Sequence, residues 1–256
     1  MEKLANGRIL YGVDPPAAYI VINRPEKRNA MTYEMWRALA TAYKEACSDE
    51  NVRVVVLRGK GGALSAGDDI KEMSELKGTI DARRFFDALE EAFKAVMECP
   101  KITVAVVDGP AVGGGGEILL AMDYVIATRN AYTGFPEIHI GLIPPVLSTL
   151  GVFMLGLKNV KKLALTGRFL KAEEAHSLGI FDEIVDEDRI DESLKKIIDT
   201  SLILPEEAVK SIKRLILASI KPAYEYGMSE LVQLVTTEEA KMRMMMFLEK
   251  KLPRPS

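Results

Sequence analysis

Short apolar runs alternate with amphipathic stretches along the first part of the chain. The runs are rich in β-branched residues and bounded by polar or turn residues, which is typical of buried strands. They cover residues 18–23, 52–57, 102–107 and 124–128. Apolar residues recur at helical spacing in residues 33–48, directly after the capping residue Thr32, and in residues 81–98. This alternation predicts an α/β fold in which helices cover a parallel sheet.

The pattern changes toward the C-terminus, where extended runs become rare. Short helical segments are predicted at residues 163–165, 172–178 and 190–198, with residues 181–185 extended between them. Longer helices are predicted at residues 205–217 and 228–247. We therefore divide the chain into a core of residues 1–200, which carries the candidate site, and a helical region of residues 201–256. That region is expected to dock on the core or on a neighbouring subunit.

Composition and charge narrow the classes of function. The chain has 256 residues, of which 48% are apolar and 28% charged, as in an ordinary globular protein. Its formal net charge is -3, and no Lys/Arg-rich block or interleaved aromatic platform appears. A protein of this kind has no basic field for nucleic acid, so we expect neither a nucleic-acid partner nor a membrane partner.

The cysteines and histidines argue against a metal site. Cys47 and Cys99 lack C-x-x-C spacing, which predicts neither a metal knuckle nor a disulfide framework. His139 and His176 are too few for a histidine-rich metal site. The N-terminal segment lacks the apolar core of a signal peptide, so a reduced cytoplasmic location is the expectation.

A glycine-rich loop follows the predicted strand at residues 102–107. Gly113–Gly116 lead into Glu117 and an apolar helical pattern, so free backbone N–H groups are expected at a helix N-terminus, where negative charge is favoured. The loop lacks the Lys-Ser/Thr of a phosphate loop and the third glycine of a dinucleotide fingerprint. Close packing of strand on helix, without chemistry, is the alternative.

Two acids accompany this loop. Glu117 closes it, and Glu137 follows Pro136 in a short turn after the strand at residues 124–128. Two carboxyls beside an oxyanion-stabilising loop are what proton transfer next to a carbonyl requires. Taken singly, Glu117 could only cap its own helix and Glu137 could be a solvated loop acid. The segment at residues 64–73 is a second strand–glycine–helix junction and could supply a second amide.

The chain resembles the enoyl-CoA hydratase (crotonase) family through a series of motifs in family order. They are INRPEKRNAM (22–31), SAGDDIKEM (65–73), DGPAVGGGGE (108–117), FPEIHIGLIP (135–144), LTG (165–167), EEAHSLGIFDEIV (173–185) and FLEKKLP (247–253). The resemblance implies a crotonase (ClpP-like) spiral of β-β-α units. It also implies an acyl-CoA ligand, with the C-terminal helical region serving in trimer formation and covering the CoA. Homotrimers, often paired into homohexamers, are usual in that family.

Site residues follow from the same resemblance. The oxyanion hole falls on the backbone N–H groups of Asp68 and Gly114, Glu117 activates the water, and Glu137 protonates the α-carbon. Neither a metal nor a cofactor is implied, because the CoA thioester is itself the substrate. The CoA moiety is expected to contact Lys27, Arg28, Ala30, Ala66, Asp68, Asp69, Ile70, Lys71, Phe247 and Lys250. For Lys250 a solvated helix end is the equally weighted alternative.

Two departures from the family pattern bear on the site. The family usually continues after Pro144 with a glycine-rich loop, whereas this chain has Pro145 and then apolar residues. A reshaped and more apolar acyl pocket is expected, with Glu137 displaced relative to the substrate. Asp68 stands where a small neutral residue is common. Its carboxylate is expected to turn away from the enolate and to cap a helix beginning at Asp69.

The sequence thus predicts an enoyl-CoA hydratase that adds water to a short or medium 2-enoyl-CoA, or removes it from the 3-hydroxyacyl-CoA. The alternative is an enoyl-CoA isomerase on the same fold, in which one glutamate moves a proton between C2 and C4. A Ser-His-Asp hydrolase is disfavoured because no G-x-S-x-G elbow occurs and because His139 is expected to be a packed or surface residue and not a base. The acidic balance and the paired glutamates disfavour an RNA-binding module or an inactive scaffold.

Overall fold

The computed structural model describes residues 1–252. The main sheet contains seven strands, namely β1 (Glu2–Leu4), β2 (Ile9–Asp14), β3 (Ala17–Ile22), β4 (Val54–Gly59), β5 (Ile102–Val107), β7 (Tyr124–Thr128) and β10 (Glu183–Val185). They lie side by side in this order. From β3 to β10 the neighbouring strands are parallel. Their valine-rich runs face helices on one side and a second layer on the other, so they are apolar throughout.

A second, three-stranded sheet lies beside the candidate site. Its strands are β6 (Pro110–Val112), β8 (Tyr132–Gly134) and β9 (Phe169–Lys171), with β6 parallel to β8 and β8 antiparallel to β9. Because β6 follows β5 after two residues, and β8 follows β7 after three, consecutive strands alternate between the sheets. A helix follows each such pair. These are the β-β-α units that the family resemblance implies.

Ten α-helices cover the sheets in the described part of the chain. They are α1 (Tyr33–Ser48), α2 (Ile70–Ser74), α3 (Gly78–Met97), α4 (Gly114–Ala121), α5 (Pro145–Leu155), α6 (Leu157–Thr166), α7 (Ala172–Ser177), α8 (Ile190–Ile203), α9 (Glu206–Val235) and α10 (Glu238–Leu248). The start of α1 is as predicted, because the Met35 N–H donates to Thr32 Oγ1 over 3.3 Å. Its buried face, with Trp36, Leu39 and Tyr43, packs against α3.

Several elements differ from the sequence prediction. Strands β6, β8 and β9 and helix α5 were not predicted, and the helix predicted at residues 228–247 is interrupted at Thr236 and Thr237. The hairpin of β1 and β2 was not predicted, because residues 1–14 hold no long apolar run and pairing with β3 supplies the order. Helix α9 is continuous, whereas two helices with a gap at residues 218–227 were predicted. Pro222 sits on the exposed side of α9, while Ile220 and Tyr224 are buried, so tertiary packing carries the helix through the proline.

The C-terminal helices dock on the core. Helix α9 packs on α3 and α5, and α10 packs on α2 and on the 3-10 helix Pro136–Ile140, which carries Glu137. The division at residue 200 stays a prediction. Pro253, the last residue of the FLEKKLP motif, and residues 254–256 of the predicted helical region lie outside the described residues.

The disulfide part of the cysteine prediction is wrong. Cys47 at the end of α1 and Cys99 after α3 form a disulfide, with a Cα–Cα distance of 5.4 Å. Sequence spacing detects only local cysteine motifs, whereas these residues are 52 apart and meet because α1 packs on α3. The disulfide therefore crosslinks two helices of the core.

Candidate active site

A cleft of about 640 Å³ lies where the two strand–glycine–helix junctions meet the C-terminal helices. Many of the residues predicted from sequence line it, namely Arg28, Ala66, Asp68, Ile70, Gly114, Glu117, Glu137, Phe247 and Lys250. Most of the remaining lining is apolar, including Met73, Leu89, Leu142, Ile143 and Leu231. The lining of the cleft therefore combines polar and charged groups with apolar side chains.

The two glycine loops touch each other at the polar end of the cleft. A Cβ atom on Gly67 would lie 2.9 Å from Val112 O and 3.3 Å from Gly114 N, and one on Gly115 would lie 2.6 Å from Ser65 O. Only glycine permits this approach. Ser65 also pairs with Ala111 in a parallel β-bridge, which fixes one loop against the other.

Backbone N–H groups are left free at this junction. Met31 N–H donates to Gly67 O and Asp69 N–H donates to Met31 O, so the intervening Asp68 N–H points away from that bridge. Gly114 is the first residue of α4, and its N–H has no acceptor within the helix. Within residues 1–252 neither N–H donates a hydrogen bond to the protein. The two groups predicted as an oxyanion hole are thus available to a ligand.

Glu117 is buried, with 2% of its surface exposed. Its Oε1 accepts a hydrogen bond of 2.9 Å from the Leu147 N–H, in the first turn of α5. Pro145 is the first residue of that helix, where a proline loses no hydrogen bond. The departure after Pro144 therefore does not plug the cleft. This segment instead begins a helix, and the free N–H of Leu147 in its first turn holds the carboxyl of Glu117.

Glu137 lies on the 3-10 helix Pro136–Ile140 and reaches back to the glycine loop. Its Oε1 is 3.2 Å from the position that a Cβ atom on Gly113 would occupy. Its Oε2 is buried, and no hydrogen-bond partner for it exists in the described structure. Glu137 is therefore not a solvated loop acid. A carboxyl oxygen that is buried beside the cleft without a partner suits a group whose partner is a substrate.

Burial raises the pKa values of both acids. The pKa of Glu137 is raised to about 8, because its carboxyl is desolvated and because Asp68 lies near. The pKa of Glu117 is raised well above its usual value by burial, then by the charge of Glu137, with a smaller contribution from Asp68. Two carboxyls that repel in this way release their protons in two separate steps, so over a range of pH one is protonated while the other is ionised. One acid and one base then coexist in the cleft.

The helix-capping role predicted for the Asp68 side chain is wrong. Asp68 does not cap a helix. Asp69 caps α2 instead, because its Oδ1 accepts from the Lys71 N–H (3.0 Å) and the Glu72 N–H (3.2 Å). Asp68 Oδ1 accepts a hydrogen bond of 2.7 Å from Trp36 Nε1, and the side chain remains on the wall of the cleft.

The predicted CoA-contacting residues divide into two groups. Arg28, Ala66, Asp68, Ile70, Phe247 and Lys250 line the cleft, whereas Lys27, Ala30, Asp69 and Lys71 do not. Asp69 instead pairs with the Arg24 guanidinium at 2.7 Å, and the same nitrogen donates to Ala30 O over 2.8 Å. This contact stiffens the loop that carries Arg28. The contacts of all ten residues with CoA stay predictions.

His139, Tyr132 and Phe169 also line the cleft, although the sequence singled out only His139, and that as a packed residue. Its ring is packed, since Nε2 lies 2.5 Å from the Cβ position of Gly167. The sequence signal that could have placed His139 at the cleft was its position on the same short turn as Glu137. Among residues 1–252, no group of three or more His, Cys, Asp or Glu side chains is arranged to hold a metal ion, and no helix is long and apolar enough to cross a membrane.

Solved structures share this architecture. The structure matches an enoyl-CoA hydratase from Bacillus halodurans with a TM-score of 0.86 and 25% identity, covering 93% of this chain and 99% of that one. An enoyl-CoA hydratase/isomerase from Pseudoalteromonas atlantica matches with a TM-score of 0.83 and 30% identity, covering 97% and 100%. Spiral units, free amides and paired carboxyls thus define an enzyme of the crotonase fold.

Sequence comparison identifies the family. The model of the family Enoyl-CoA hydratase/isomerase matches residues 16–254. The short-chain-enoyl-CoA hydratase of Clostridium acetobutylicum is 30% identical over 240 residues, which cover 91% of this chain and 92% of that protein. The chain belongs to the enoyl-CoA hydratase/isomerase family, as the resemblance predicted.

Proposed function

We propose that this protein is an enoyl-CoA hydratase, which reversibly adds water across the C2–C3 double bond of a short or medium 2-enoyl-CoA. The observation that carries the proposal is the juxtaposition of two buried, mutually repelling carboxyls with two unpaired backbone N–H groups. Hydration needs each part. Water must lose a proton as it attacks C3, C2 must gain one, and the thioester oxygen must carry charge between these events.

The two N–H groups stabilise the enolate. The thioester oxygen accepts from the Asp68 and Gly114 N–H groups, and it gains negative charge as water attacks C3. Both donors are fixed by the glycine contacts before the substrate arrives, so they need not reorganise during the reaction. Each donor of this kind typically lowers the barrier by ~3 kcal/mol.

The two carboxyls take different roles because their hydrogen bonds differ. Glu117 accepts the Leu147 N–H, which partly offsets the rise in its pKa caused by burial and by Glu137, so we assign it as the base that orients and deprotonates water. Glu137 has an unpaired buried oxygen, which favours a proton there, so we assign it as the acid that protonates C2. In dehydration the roles reverse. The assignment is a microscopic description of a pair that titrates together.

The cationic side chains at the cleft suit the phosphates of CoA. Arg28 and Lys250 are exposed at the cleft lining, where Arg28 can offer a bidentate fork to a phosphate. Phe247, 49% exposed, offers a surface for the adenine. We extend the CoA contact to Lys27, Ala30, Asp69 and Lys71 only as a prediction, since these lie beside the cleft and not on its lining. The reaction uses no metal or redox cofactor.

We further propose a homotrimer, or a homohexamer built from trimers, located in the cytoplasm. The exposed faces of α5 and of α8–α9 support an oligomer, because Phe153, Ile203 and Leu215 are 68%, 81% and 68% exposed. Light scattering after gel filtration tests the assembly. The disulfide is at odds with a reducing compartment. The location is tested by extracting the protein in the presence of an alkylating agent and counting the alkylated cysteines, because a reducing compartment keeps both cysteines as free thiols.

A panel of enoyl-CoA and 3-hydroxyacyl-CoA thioesters in ¹⁸O-labelled water tests the activity. We expect loss of the conjugated-thioester absorbance together with ¹⁸O incorporation at C3. Double-bond migration without ¹⁸O incorporation would establish the isomerase alternative, in which one carboxyl shuttles a proton between C2 and C4. A matched control is the Glu50→Gln variant, which changes an exposed carboxyl in the loop after α1 and should leave the rates unchanged.

A further inference from the structure

Asp68 places a carboxyl where the developing negative charge of an enolate must be held. Its backbone N–H is one of the two free donors, and its Oδ2 lies 3.8 Å from the Cβ position of Gly114, which carries the other. An ionised carboxylate there would oppose the charge that the two N–H groups stabilise. The side chain must therefore be neutral during the reaction, or the site would work against itself.

Trp36 decides which oxygen of Asp68 can carry a proton. The indole Nε1–H donates to Oδ1 over 2.7 Å, and an indole N–H can only donate. Trp36 is 1% exposed and cannot swing away. A proton on the acid must therefore sit on Oδ2, the oxygen beside Gly114. Oδ2 has no hydrogen-bond partner in residues 1–252, and the side chain lines the cleft.

The charges around Asp68 favour the neutral form. Glu72 and Asp69 repel its ionised form from the same segment, and Glu117 and Glu137 face it across the cleft. No lysine or arginine of residues 1–252 forms an ion pair with it, since the nearby Arg24 pairs with Asp69. Burial, with these charges, raises the pKa of Asp68 to about 7, although the Trp36 bond opposes the rise.

We propose that Asp68, as an uncharged carboxylic acid, is a third hydrogen-bond donor to the thioester oxygen, through Oδ2, alongside the N–H groups of Asp68 and Gly114. A neutral acid held by an apolar site is a strong donor to an oxyanion, because the enolate oxygen binds a more acidic proton more tightly. The proposal rests on the proposed function only in requiring a thioester enolate. Hydration and double-bond migration both pass through one.

Two substitutions separate donation from packing. Asp68→Asn keeps the Trp36 bond through its carbonyl oxygen, so its NH₂ group faces the cleft and remains a donor at every pH. Asp68→Val keeps the approximate shape and removes the donor. At about pH 6 with crotonyl-CoA, we expect kcat within roughly fivefold of wild type for Asp68→Asn. For Asp68→Val we expect a loss of roughly 100-fold with KM within threefold. Glu50→Gln, which changes an exposed carboxyl in the loop after α1, is the control and should keep wild-type kcat.

Trp36 is the only tryptophan in the chain, so its emission reports on Asp68 without any substrate. We expect an emission change with a midpoint near pH 7 in the wild type and none in Asp68→Asn. A wild-type transition centred near the ordinary aspartate pKa of 3.8 would show that Asp68 is charged at working pH and would overturn the proposal, even where a variant fails to fold.

Kinetic outcomes are equally decisive. Wild-type kcat in Asp68→Val would overturn donation. An Asp68→Asn variant as inactive as Asp68→Val would also overturn it, and would indicate that Asp68 transfers a proton. If the wild type moves double bonds but hydrates nothing, the proposed function fails, and the same comparison is then read on the migration rate.

Discussion

The acids of the cleft should destabilise the fold that holds them, and Glu137→Gln isolates this effect. The folded protein holds the Glu137 proton up to about pH 8, whereas an unfolded glutamate releases it near 4.5. Between these values the folded state binds more protons than the unfolded state. Stability therefore falls as pH rises through this window.

The magnitude follows from the raised pKa. A carboxyl whose pKa moves from 4.5 to about 8 lowers the free energy of unfolding by roughly 4 kcal/mol at pH 8 and by roughly 1 kcal/mol at pH 5. Both values are upper bounds, because Glu137 titrates together with Glu117 and not as an independent group. The buried amide introduced by the substitution has its own cost, but that cost does not change with pH. The change in free energy of unfolding caused by Glu137→Gln should therefore be about 1–3 kcal/mol more favourable at pH 8 than at pH 5.

Urea unfolding followed by circular dichroism at about pH 5 and pH 8 measures this difference. Protein concentration must be held fixed, because an oligomer's stability depends on it. Glu50→Gln, at an exposed site, is the control and should show no pH-dependent change. An effect of Glu137→Gln that is equal at both pH values would refute the reasoning, since it would mean that Glu137 ionises normally in the folded state.

Other predictions rest on separate contacts. Glu117→Gln should lower kcat for hydration at least 100-fold with KM within threefold, because the base is lost while CoA contacts remain; steady-state kinetics with crotonyl-CoA check this, and near-wild-type turnover contradicts the assigned role. Gly115→Ala should destabilise the fold by about 1–3 kcal/mol and lower activity, because the added Cβ atom would lie 2.6 Å from Ser65 O. An unchanged melting temperature would contradict this prediction, since it would mean that the two glycine loops move apart at no cost. Reduction of the Cys47–Cys99 disulfide should lower the free energy of unfolding by about 2–4 kcal/mol. Urea unfolding with and without reductant measures it, with Cys47→Ser as the reductant-insensitive control.

Local signals in the sequence predicted much of the scaffold. Thr32 caps α1 as expected, and the strand at residues 102–107 and the helix after Gly113 lie where the pattern placed them. Each of these depends on residues close in the chain. The apolar runs and glycine positions therefore sufficed to place Glu117 in the first turn of the helix of a strand–loop–helix unit.

Contacts between distant residues could not be read in this way. The Trp36–Asp68 hydrogen bond joins residues 32 apart, and the Leu147–Glu117 hydrogen bond joins residues 30 apart. Neither changes the hydrophobic period of its segment. For this reason the helix-capping role predicted for the Asp68 side chain is wrong. Capping can be inferred from neighbouring residues, but a partner on another helix cannot.

The two departures from the family pattern act on the same electrostatic problem. The cleft gathers three acids, so at neutral pH it can accommodate little negative charge, and the location of that charge decides the chemistry. The helix that begins at Pro145 supplies an N–H that favours the charge on Glu117. Oε2 of Glu137 has no hydrogen-bond partner in the described residues, and the proposed mechanism requires Asp68 to be neutral beside the enolate. In the proposed mechanism, the residues that depart from the pattern thus favour negative charge on Glu117, which leaves Glu137 protonated and the oxyanion site free of competing charge.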